Sequence, residues 1–362
     1  MLKIKLIFSI ITIIIVAAYG ESFGDPEKPT VNGTFVDGET IIISVSYPGE
    51  KSTAAPNLWD TADNQSSYDG MSDGEAIPTG SPYPYDDSGA SDTTISTLEL
   101  TAENQRTSNS DRCYTRYPSN QLSRAGHEVS GNLYIAWWFK ADQVLQGDNN
   151  SSKFLRASEY VGSFSLHTFS WTNHQTYVYD VDSSCFYGGS FEHLCTNNWP
   201  DYVPTQNDWE LFEAFFDNTN LSYVITADGQ EVSSASWDYC SGECDTNFGM
   251  VWTIGYSNEG TSPVQANTWI DDVYIDNTFS RVMICDGPTW STRGHCEIQP
   301  ATAWSDGSPG SITITVNQGS FENSDTVYLY VVDSANNASP ASDFITVGGS
   351  SAPQPYSGIV WQ

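Results

Sequence analysis

The chain is patterned for strands. Short runs of alternating apolar and polar residues, bounded by Gly, Asn, Asp, Ser and Pro, recur along its length, and helical periodicity is almost absent. These runs predict strands over 40–45, 132–140, 153–157, 163–171, 176–181, 209–216, 221–227, 250–256, 268–276, 311–316, 326–332 and 343–347. Many short strands with turn chemistry between them predict an all-β protein built of sandwiches. Residues 61–110 are rich in Ser, Asp, Gly and Pro and predict a long loop with few strands.

Successive side chains of a strand point to opposite faces, so each run states what its two faces present. In 132–140 one face carries Leu133, Ile135, Trp137 and Phe139, and the other Tyr134, Ala136, Trp138 and Lys140. In 209–216 Phe212, Ala214 and Phe216 form a core face, leaving Trp209, Leu211, Glu213 and Phe215 opposite. Neither strand has a simply solvated face. A concave groove paved with rings is therefore expected, with Trp138, Lys140, Trp171, Trp209 and Glu213 as candidate ligand-binding residues. Flat rings match the C–H faces of sugars, and nearby polar groups hold the hydroxyls. The alternative for each ring is packing inside a sandwich.

Length and charge narrow the class. A chain of 362 residues has room for about two domains. It carries 13 Lys+Arg against 45 Asp+Glu, a net charge of −32, which excludes a general nucleic-acid binder and disfavours anionic lipid. An aromatic content of 13% excludes a disordered acidic chain. Residues 1–20 read as a secretory signal: Lys3 and Lys5 precede an apolar core over 6–16, and Ala18 and Gly20 are small residues before a cut at Glu21; a retained N-terminal anchor is the alternative. No second apolar stretch is long enough to span a bilayer, so a secreted protein is expected, with the cell surface or periplasm as narrower destinations. In an oxidising compartment the close cysteine pairs read as disulfides: Cys185 with Cys195, Cys240 with Cys244, and Cys285 with Cys296. Spacing does not fix their connectivity, and Cys240 and Cys244 also have a zinc-like interval. Cys113 is left over. It and the tail at 350–362 are the candidates for contacts between copies of the chain.

Two resemblances organise the chain. Pro29-Thr30-Val31-Asn32-Gly33 and Asp37–Ser44 are similar to the opening strands of an immunoglobulin-like domain of the IPT/TIG type, and 311–316, 325–332 and 344–347 to its closing strands. Trp209–Asn218, the turn Asp228-Gly229, and Trp269–Ile275 resemble a concanavalin A-like jelly roll, the fold of legume lectins, laminin-G modules and several polysaccharide lyases. Together they imply a jelly roll over 57–284 inserted between two parts of an Ig-like domain, 21–56 and 285–349. Two sequential domains are the alternative.

The candidate chemistry is of three kinds. The jelly-roll glycosidases set their carboxylates on one strand in an E-x-D-x-x-E pattern. Glu210 and Glu213 are three apart and alternate in face, which argues against that mechanism. A jelly-roll lyase needs a base, an acid and a group that neutralises the uronate. The resemblance supplies His167 or His174, Tyr177 or Tyr179, and Arg156 or Lys140 for these roles. A structural Ca²⁺ ion is a third expectation, with Asp271, Asp272 and Asp276 as ligands and Asp60 and Asp63 nearby; hydrogen-bonded edge carboxylates are the alternative. No other cofactor is required. The reading is a secreted carbohydrate-binding protein that recognises an extracellular polysaccharide, with a polysaccharide lyase and a structural surface or fibre protein as alternatives.

Overall fold

The structure is a computed structural model that describes residues 26–64, 68–72, 74–77, 99–101, 106, 112–116, 120–123, 129, 131–145, 152–159, 167–172, 176–180, 202, 204–220, 222–236, 248–258, 266–306 and 310–348. In chain order the first strands are β1 Thr30–Asn32, β2 Thr40–Val45, β3 Leu58–Asp60, β4 Glu75–Ala76, β5 Glu99–Thr101, β6 Cys113–Arg116 and β7 Asn120–Ser123. The middle of the chain gives β8 Leu133–Ala141, β9 Ser152–Glu159, β10 His167–Thr172, β11 Thr176–Asp180, β12 Glu210–Asp217, β13 Ser222–Ala227, β14 Gln230–Ser236, β15 Phe248–Asn258 and β16 Thr268–Asp276. The last are β17 Arg281–Cys285, β18 Cys296–Gln299, β19 Ala301–Ser305, β20 Gly310–Thr315, β21 Thr326–Val332 and β22 Ile345–Thr346.

These strands form four sheets stacked as successive layers. A five-stranded sheet, β11-β10-β9-β15-β7, faces a nine-stranded one in which β14-β13-β12-β8-β16-β6-β5-β4 are joined in order and β3 also pairs with β16. Leu133, Ile135, Trp137 and Phe139 of β8, with Phe212, Ala214 and Phe216 of β12, meet Leu155, Ala157, Val251 and Ile254 in the core between them. This pair of sheets is the first β-sandwich. The second sandwich pairs sheet β1-β2-β20-β19 with sheet β18-β17-β21-β22. Ile41, Ile43, Ile312 and Ile314 pack there on Val282, Ile284, Leu329 and Val331.

Strand β2 lies antiparallel to β20 from Thr40↔Thr315 to Val45↔Gly310, so segments from both ends of the chain share one sheet. Strand β17 pairs with β18 and β21 in the second sandwich. The domain boundary expected between residues 284 and 285 therefore falls inside a strand. Cys285 and Cys296 stand opposite each other on β17 and β18 and are joined by a disulfide. Cys185, Cys195, Cys240 and Cys244 lie outside the described residues, as do the expected signal and tail. Among the described residues, no helix is long and apolar enough to cross a membrane.

A third core joins the two sandwiches. Strand alternation sends Tyr134, Ala136 and Trp138 of β8, Leu211 and Phe215 of β12, and Tyr274 of β16 to the back of the nine-stranded sheet. There they meet Met283, Cys285, Cys296, Ile298 and Tyr330 of the second sandwich. Strands β8, β12, β17 and β21 are thus apolar on both faces because both faces are interior. Each fully buried Leu, Ile, Val, Phe or Met contributes about 1.5–3 kcal/mol, so this interface is a core in its own right.

Candidate functional site

The residues at the junction of the two sandwiches are placed by a break in β16. Asp271 lies opposite Trp138 of β8 while Tyr274 lies opposite Ala136, so β16 carries one extra residue. Asp272 takes up the slack with φ of 47°, a left-handed conformation that Asp tolerates better than most residues. The bulge brings two adjacent carboxylates, which a regular strand would send to opposite faces, onto one cation. Arg106 forms ion pairs with Asp272 and with Glu297 of β18, and its Nε lies 3.6 Å from Asp271 Oδ2. Its guanidinium lies over the Trp138 ring, 4.6 Å from the centroid.

This cluster is largely buried. The Arg106 side chain is 2% exposed and that of Glu297 is fully buried. Burial opposes the charge of Arg106, but Asp272, Glu297 and Asp271 together outweigh it and raise its pKa. Burial likewise pushes the Glu297 carboxyl up, while Arg106 and then His295 hold it down at about 2. Glu297 also accepts hydrogen bonds from Trp138 Nε1 (3.2 Å) and from the Ser320 amide (2.9 Å). His295 Nε2 lies 2.7 Å from Glu297 Oε1 and 2.9 Å from Ser320 Oγ. Serine and acid meet the same ring nitrogen, so this is no nucleophile–base–acid relay, which needs them on different nitrogens. Gly319 has φ of 54°, and a Cβ there would collide with the Glu297 side chain.

Above the cluster a cleft of about 250 Å³ opens between the sandwiches. Trp59, Thr61, Asp63, Asn64, Arg106 and Asp272 line it from the first sandwich, and Asp37, Gly38, Val316, Asn317 and Gly319 from the second sandwich. Trp59 is half-buried on β3 opposite Tyr274, whose ring meets it edge-on at 6.1 Å. A turn fixes the rim: Asn64 accepts from the Thr61 amide (3.2 Å) and donates to the Trp59 carbonyl (3.2 Å). Asp37 accepts from the Gln318 amide (2.9 Å), tying the opposite wall. The lining thus combines one indole, two amides and a hydroxyl with carboxylates. Its one cation, Arg106, is already held by three acids.

The expected open groove is corrected. Trp138 is 3% and Glu213 2% exposed, because the second sandwich covers the face they occupy. Glu213 accepts from Tyr134 Oη (2.7 Å) and forms an ion pair with Arg281 (3.2 Å), so it belongs to the interface. Glu210 lies on the other face and accepts from Tyr202 Oη (2.6 Å) and the Thr205 amide (2.7 Å). Trp209 is half-buried against the interface core, and Lys140 Nζ lies 5.7 Å from the centre of the Trp269 ring. Trp171 stands on β10 opposite Thr176 and Leu155. Of the lyase candidates, Arg156 and Tyr177 are both opposite Ser170, and Tyr179 is opposite Thr168. His167 is opposite Asp180. His174 lies outside the described residues.

The expected calcium ligands are partnered by the protein's own cations. Asp271 and Asp272 hold Arg106, and Asp276 pairs with Lys51 and accepts from Tyr274 Oη (2.9 Å). Burial pushes Lys51 down and Asp276 up against their mutual attraction. Among the described residues, no group of three or more His, Cys, Asp or Glu side chains is arranged to hold a metal ion. Cys113 is fully buried on β6, where burial pushes its thiol up, so it is not placed to link copies of the chain. The sequence reading missed Arg106, Glu297 and Trp59. A lone Arg in a polar loop and a lone Trp on a three-residue strand give no periodic signal.

No family model and no curated protein matches this chain. Among solved structures it is similar to the cellulose-induced protein Cip1, at 12% identity over 59% of this chain and 96% of that one, with a TM-score of 0.35. It is also similar to domain 4 of AbnA, a GH43 extracellular arabinanase from Geobacillus stearothermophilus solved with arabinotriose (12% identity, 62% of this chain, 96% of that one, TM-score 0.33). A third is alginate lyase A1-II′ of polysaccharide lyase family 7 (11% identity, 45% of this chain, 79% of that one, TM-score 0.32).

Proposed function

We propose that this is an exported carbohydrate-binding protein that holds a neutral polysaccharide in the cleft between its two sandwiches. The observation that carries the reading is the lining of that cleft, where a half-buried Trp59 faces a rim of amide, hydroxyl and carboxylate groups. An indole gives a sugar ring an apolar platform, and the short polar side chains supply donors and acceptors to its hydroxyls. The volume is just below the usual range of small-molecule pockets, about 300–1,000 Å³, so the cleft suits a segment of a longer chain. The electrostatics choose the class of glycan. Asp37, Asp63 and Asp272 line the cleft and Arg106 is already engaged, so a uronate would meet like charge with no cation to receive it. The same arrangement weighs against a uronate-cleaving lyase.

The test is retention on a panel of immobilised neutral and uronate polysaccharides, with ultraviolet absorbance following any unsaturated ends. Retention on a neutral glycan without turnover is expected, weakened about tenfold or more in Trp59→Ala, a loss of about 1.4 kcal/mol. Binding that survives Trp59→Ala, or binding confined to uronates, would sink the assignment.

A further inference from the structure

We infer that Asn32 is a site of N-linked glycosylation; this rests on the reading of the chain as exported. The chain contains the triplet Asn32-Gly33-Thr34, the acceptor pattern for an N-linked oligosaccharide. Further triplets of this form begin at Asn64, Asn149, Asn150, Asn220 and Asn337. Asn149 and Asn150 lie outside the described residues.

The structure separates the others by what their amides already do. Asn64 holds the rim turn of the cleft through both amide atoms. The Asn220 amide donates to Asp217 (2.7 Å), and that of Asn337 to Asp333 (3.2 Å). A sugar on any of these leaves the amide a single N–H and crowds the turn that it holds, and one on Asn64 also fills the cleft. Asn32 is exposed, and its amide has one long contact, 3.4 Å to Ser44 Oγ.

The surroundings of Asn32 point the same way. It lies on β1, at the end of its sheet, and directly opposite Ile42 of β2. Ile42 is 51% exposed, one of few large apolar side chains in the described residues that face solvent. A sugar on Asn32 stands beside that side chain and screens the outer edge of β1, which pairs with no further strand among the described residues. The modifying step transfers an oligosaccharide from a polyisoprenyl diphosphate donor. A bond forms between sugar C1 and Asn32 Nδ2, the C1–O bond to the diphosphate breaks, the amide gives up one proton, and the lipid diphosphate leaves.

The experiment is secretion of the full chain from eukaryotic cells, followed by enzymatic deglycosylation in heavy-oxygen water and peptide mass mapping. Asn32 should appear as heavy-labelled Asp in most molecules, with Asn64 unlabelled. Asn32→Gln and Thr34→Ala should each remove one glycan's worth of mass, and Thr34→Ser should restore it. Secreted protein with a bare Asn32 overturns this inference alone. A chain that stays unglycosylated inside the cell overturns it together with the export reading.

Discussion

At the scale of single residues the decisive group is Arg106. Three carboxylates surround it away from water, so its removal leaves buried acids facing one another. Breaking such a cluster by removing one partner costs about 3–5 kcal/mol. Arg106→Gln should lower the stability measured by urea unfolding at pH 7 by that amount; a loss under about 1 kcal/mol would mean that water reaches the cluster. The same group sets the acid limit of the wild type. The Glu297 carboxyl sits at about 2 in the folded chain against an ordinary 4.5, so the unfolded chain takes up its proton first as pH falls. The stabilisation from Glu297 is complete above about pH 4.5 and disappears as pH drops toward 2. The penalty of Arg106→Gln should therefore narrow across that window, and a constant penalty would assign the effect to packing on Trp138. None of this is legible in sequence, where Arg106 is one basic residue inside a Ser/Asp-rich loop. Its partners lie on β16 and β18, and only the fold brings them near.

At the scale of elements the bulge in β16 does most of the positioning. Its strand was legible over its whole length, 268–276, because Trp269, Ile270, Val273, Tyr274 and Ile275 make a nine-residue stretch rich in β-branched and aromatic residues. The extra residue was not legible, since Asp271-Asp272 reads equally as one inward and one outward carboxylate. Asp272→Gly keeps the left-handed backbone at no steric cost, whereas Asp272→Ala adds about 1–2 kcal/mol of strain. Both lose the carboxylate, so the gap between the two variants in chemical denaturation reports the backbone alone. The Gly variant should be the more stable by about that amount; equal midpoints would show that the bulge relaxes. Strands β17 and β18 escaped the sequence reading for a different reason. Arg281–Cys285 and Cys296–Gln299 are wholly buried, so they lack the alternation of a half-solvated strand, and at five and four residues they are too short for an apolar run to stand out.

At the scale of the whole molecule the interface core predicts that the two sandwiches unfold as one cooperative unit. Met283 is 1% exposed at its centre. Met283→Asp puts an uncompensated charge there and should split thermal unfolding into two transitions, read by calorimetry; one transition at an unchanged midpoint would deny the coupling. The interface also explains where the sequence reading of the site went astray. A strand with rings on both faces looks the same whether its second face lines a groove or lies under another sheet, because alternation reports polarity and says nothing about what covers it. Tyr134, Trp138 and Phe215 lie under another sheet. The chain's own pattern of residues was sufficient for the all-β class, for most strand positions and for the acidity that disfavours anionic ligands, because these follow from local periodicity and composition. Tertiary structure alone decided which rings are sealed, which cation meets which acids, and that the open cleft lies at Trp59. Those outcomes depend on contacts between residues far apart in the chain, and local pattern carries no information about such distances.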